Sequence, residues 1–81
     1  MNISSTPAIE RIARILVARI ASPNATGEDP SAGQTVDFLW ADFREDALAV
    51  LRTLREPDEA MSRAGDPKVW EAMILAAIGE T

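Results

Sequence analysis

The stretch TVDFLWADFREDALAVLRTLR, residues 35–55, decides the fold. Val36, Trp40, Phe43, Ala47, Val50 and Leu54 alternate steps of four and three without a break, the spacing of a helical seam that packs against another helix. Leu39 and Leu51 widen that seam, while Asp42, Glu45 and Arg52 take the opposite face together with Phe38. The predicted helix covers about residues 35–56, because Pro57 pushes the residue before it out of helical geometry.

Three further helices are predicted on either side. Thr6 and Pro7 supply a cap and a first-turn proline for a helix over about 7–21. Its apolar arc is Ile9, Ile12, Ala13, Ile15, Leu16, Val17 and Ile20, with Arg11, Arg14 and Ala18 facing away. Arg19 falls inside the arc. Either its stem lies along the core edge, or it forms a buried pair with an acid on the next helix or on another subunit. A short helix follows Pro57, over about 58–64, with Asp58 as cap and Gly65 as a left-handed stop. Asp66-Pro67 opens the last, over about 67–78, and Gly79 closes it. Val69, Trp70, Met73, Ile74 and Ala77 form its expected inner face, and Leu75 points the other way. Residues 22–34, with two prolines and two glycines, read as one long loop. Gly27-Glu28-Asp29 lacks the alternating ligands of a calcium loop and reads as a solvated excursion. No strand pattern occurs, so the class is all-α: a small bundle of three to four helices in a single domain, residues 1–81.

Composition narrows the chemistry. The chain has 81 residues, a formal charge of −5, and no Cys, His or Tyr. A thiol nucleophile, a Ser–His relay and an imidazole base are therefore excluded, and so are the ligands of a structural zinc site. Fourteen alanines and only four aromatic residues make a lean apolar payload. The acidic balance and dispersed arginines argue against nucleic-acid binding, including a helix-turn-helix built on the last two helices. Trp40 and Trp70 lie on the inner seams and read as core rather than as a stacking platform for bases. The first six residues do not read as a leader, no run approaches the length of a membrane span, and the expected location is cytoplasmic.

One segment resembles a known group. Leu54-Arg55-Glu56-Pro57-Asp58-Glu59-Ala60-Met61, then Ala64-Gly65, then Trp70-Glu71-Ala72-Met73-Ile74 with Ala76-Ala77, is similar to short uncharacterised proteins of bacteriophages and of alpha-proteobacterial genomes with prophage-like content. Those proteins carry an "REP-T-E-A-M" turn, a short helix closing on Ala-Gly, and a terminal helix with a "W-x-A-M-I" core. The likeness spans about residues 40–78, with Asp58 replacing the usual Thr, one capping residue for another. It implies helical structure and a mobile-element origin, and it carries over no functional residue.

Carboxylates are the reactive groups left. Asp42, Glu45 and Asp46 share a stripe, and Glu56 and Glu59 are spaced three apart. Acid pairs of this kind on neighbouring helices hold Mg²⁺ in all-α nucleotide pyrophosphohydrolases, which makes such an enzyme the alternative reading. Pro57 interrupts the second pair, and no basic cluster is placed to hold a triphosphate. A solvated acidic face with Arg44, Arg52 and Arg55 nearby accounts for the pattern. The expectation is accordingly no catalysis, no metal and no cofactor. Apolar residues at outer or boundary positions, Phe38, Leu48, Leu75 and Ile78, point to a partner interface instead. The expected partner is a second copy in a homodimer, or a helix of another protein.

Overall fold

In the computed structural model, residues 3–21 and 30–79 are described. They form α1 (Ala8–Ala21), α2 (Pro30–Leu39), a 3₁₀ turn (Trp40–Phe43), α3 (Arg44–Leu54), α4 (Glu59–Ala64) and α5 (Pro67–Ile78), with no strand among them. The all-α class read from the sequence is therefore correct. Residues 22–29, which include most of the expected loop and the Gly27-Glu28-Asp29 group, lie outside the described residues. Two compact units divide the chain, Met1–Ala47 and Leu48–Thr81.

In the first unit α1 packs against α2 and the 3₁₀ turn. Val17, Ala18 and Val36 form the buried centre, with Leu39, Trp40 and Phe43 packed on it. Ile9 and Ala13 extend the buried face of α1. This face is rotated from the expected arc. Ala18 was assigned to the outer side and is completely buried, at 0%, whereas Ile15 and Ile20 are exposed. The cause is size: alanine at position 18 lets Val36 and the two aromatic residues close in, which a larger side chain would prevent. Arg19 is exposed within this single chain. α1 starts at Ala8, and the Pro7 carbonyl accepts from Arg11 N–H at 3.1 Å. Pro7 thus precedes the first helical residue, and the described contacts of Thr6 run through its backbone to Ser4 and Arg11.

The predicted helix over 35–56 departs from expectation at three points. It begins at Pro30, because a proline is as good a first helical residue there as Pro67 is in α5. It ends at Leu54. Between these limits four residues tighten into the 3₁₀ turn. With three residues per turn, positions i and i+3 superpose. Trp40 and Phe43 are three apart, so the turn stacks both over the Val17–Ala18–Val36 centre. The tighter winding also advances the helical phase by about 80° over four residues, so a single seam cannot run from Val36 to Leu54. Ala47 and Leu51 are buried in α3, whereas Val50 and Leu54 are exposed.

The second unit is punctuated largely as expected. The Asp58 carboxylate accepts from Met61 N–H at 2.9 Å and the Asp66 carboxylate from Lys68 N–H at 2.8 Å, capping α4 and α5. Gly79 ends α5 with φ 92°. Gly65, expected to be left-handed, is extended at φ −158°. Asp66 follows directly, and a residue before proline is held extended, so the chain enters α5 without a left-handed reversal. Ile74 is the buried residue of α5, with Trp70, Ala77 and Ile78 half-buried beside it. Val69 and Met73 do not lie on the inner face but are exposed, and Leu75 is half-buried rather than outward.

The two glycines make opposite predictions. A Cβ at Gly65 meets nothing within 4 Å and its backbone suits any residue. Gly65→Ala should therefore be neutral or add up to about 1 kcal/mol in urea unfolding. Gly79→Ala should cost about 1–2 kcal/mol, because the left-handed backbone disfavours a Cβ.

Candidate functional site

Each unit is organised by one long amphipathic side chain. In the first, Arg14 was expected to face solvent and instead is half-buried. Its Nε donates to Glu10 Oε2 at 2.8 Å and its Nη1 to Asp37 Oδ1 at 2.6 Å. Glu10 is one turn back on α1, while Asp37 is on α2, so the guanidinium ties the two helices together. The same group lies over the Trp40 ring, 5.7 Å from its centroid. The hydrogen bonds to Asp37 first and Glu10 second raise the Arg14 pKa above its ordinary value, so the charge is permanent. Sequence reading missed this because Asp37 and Trp40 are remote from Arg14 along the chain; only the Glu10–Arg14 spacing was visible.

In the second unit, Trp70 Nε1 donates to the Leu54 carbonyl at 2.7 Å. Leu54 closes α3, and last-turn carbonyls lack intrahelical donors. The indole thus satisfies a helix end and holds α5 against the close of α3. Next to it lies an open, mainly apolar groove of about 350 Å³. Pro57, Met61 and Ala64 line it from the α4 side, Val69, Trp70 and Met73 from α5, and the Gly65-Asp66-Pro67 turn completes it. Asp66 is the one charged residue in that lining. Its four-apart pairs, Pro57 with Met61 and Val69 with Met73, were legible as spacing but had been assigned to structure. Both tryptophans, expected in the core, are half-buried.

The expected interface residues divide by exposure. Phe38 on α2 stands 85% exposed, as its place opposite Val36 implies. Leu48, Leu75 and Ile78 are half-buried. Val69 and, at 62% exposed, Met73 are the open apolar positions of α5. Asp42, Glu45, Asp46, Glu56 and Glu59 are all exposed, and Glu59 pairs with Arg63 at 3.1 Å. Among the described residues, no group of three or more acids is arranged to hold a metal ion. Nor is any described helix long and apolar enough to cross a membrane.

No protein-family model, curated protein or solved structure matches this chain.

The polar ties can be tested by chemical denaturation. Trp70→Phe keeps the ring and deletes the donor, and should cost about 1 kcal/mol by leaving the Leu54 carbonyl without the indole. Arg14→Lys keeps the charge but loses the two-way fork. A loss of about 0.5–1 kcal/mol is expected, shrinking in high salt because the pairs face solvent.

Proposed function

We propose that this chain is a small helical interaction and assembly module, working in the cytoplasm without catalysis and associating with copies of itself, in the simplest case as a homodimer. The observation that carries this reading is the contrast between what is buried and what is not. Among the described residues the buried set is three alanines, two valines, two isoleucines and one leucine, with no aromatic residue, while Phe38, Ile20, Met73 and Val69 remain exposed. A small lean core gains from covering such side chains, and apolar surface of this kind is typical of sites that meet other proteins. The contact positions read from the sequence are Phe38 in the first unit and the half-buried Leu48, Leu75 and Ile78 in the second. The resemblance of residues 40–78 to short phage proteins supports a prophage origin.

The test is the solution mass by light scattering across a dilution series. The expected result is a multiple of 8.8 kDa that falls toward the single-chain value on dilution. A mass of 8.8 kDa at every concentration overturns self-assembly.

A further inference from the structure

Two exposed faces of the chain have complementary chemistry. On α1, Arg11, Ile15 and Arg19 follow one another at steps of four, so they share a stripe, and all three are exposed. Ile15, at 45% exposed, is its apolar centre. α1 carries three arginines and one glutamate and is the net-positive helix of the five, in a chain whose total charge is −5. The rest of the molecule is therefore strongly acidic. The groove of the second unit is apolar and contains Asp66; among the residues next to its lining, Glu56, Asp58 and Glu71 outnumber Arg63 and Lys68. An apolar, methionine-bearing groove with an acidic border suits a basic amphipathic helix, because the thioethers adapt to the inserted side chain while the border selects the charge.

We propose that the α4–α5 groove receives the Arg11–Ile15–Arg19 stripe of a second copy of this chain, with Ile15 seated between Met61 and Met73. The proposal rests on the assembly reading and names the contact through which assembly occurs. It also explains why an acidic protein would self-associate: unlike faces meet, so the net repulsion between copies is offset where they touch.

Two single variants test it, one on each face. Ile15→Glu spoils the stripe and Met73→Glu the groove, and both sites are open enough for helicity by circular dichroism to stay at the wild-type level. Each variant alone should dimerise at least about tenfold more weakly than wild type, the cost of placing an unpaired carboxylate in an apolar contact. Mixed one to one, the intact groove of the first variant meets the intact stripe of the second, and a heterodimer should reappear. Arg11→Glu should weaken association in the same direction by reversing a charge of the stripe, although it also removes the Arg11 hydrogen bond to the Thr6 carbonyl. If both variants keep the wild-type mass, or both dissociate and the mixture stays monomeric, the groove–stripe contact is wrong while self-assembly stands. A monomeric wild-type protein overturns both.

Discussion

The first unit depends on the absence of a side chain. Ala13 and Ala18 have no exposed surface, and Ala18 lies in the buried centre with Val17 and Val36. An alanine there lets the facing backbone approach until Val36 fills the space, which gains dispersion contacts despite the few carbons available. The 3₁₀ turn follows from the same need. With so little aliphatic bulk, Trp40 and Phe43 are both packed onto the centre, and three residues per turn brings them into closer register than an α-helix would.

Polar contacts then fix what the small core leaves loose. Arg14 and Trp70 act alike: each lays an extended body along the protein and directs hydrogen-bond donors at a second element. The Arg14 fork links α1 to α2, and the Trp70 indole occupies the carbonyl at the end of α3. Neither tryptophan is deeply buried: Trp40 packs on the core with the Arg14 guanidinium over its ring, and Trp70 directs its indole N–H at the Leu54 carbonyl. The second unit buries Leu51 and Ile74 while leaving Val69 and Met73 open, and that imbalance creates the groove on which the assembly reading draws.

Of the candidate contact positions, only the exposure of Phe38 was legible in the sequence. Phe38 stood out because it lies opposite a regular seam, and the structure leaves it open. Leu75 is expected outside and Val69 and Met73 inside, and all three differ for one reason: α5 is apolar nearly all round, so its periodicity does not single out an inner face. Only the neighbours of α5 decide, and they place Ile74 inside. The acidic positions Asp42, Glu45, Asp46, Glu56 and Glu59 were correctly seen as exposed charge, since no pattern of apolar residues covered them.

The sequence by itself determined the all-α class, most of the helix boundaries and the caps at Asp58 and Asp66. These are local matters: apolar period, proline geometry, and a carboxylate within reach of the next turn's N–H groups. Tertiary structure alone decided that Ala18 turns inward and Arg14 bridges two helices, that four residues tighten into a 3₁₀ turn, and that Gly65 is extended. Each depends on what stands opposite: a small residue gains by burial only where a large one faces it, and an arginine bridges only where an acid from elsewhere in the chain arrives.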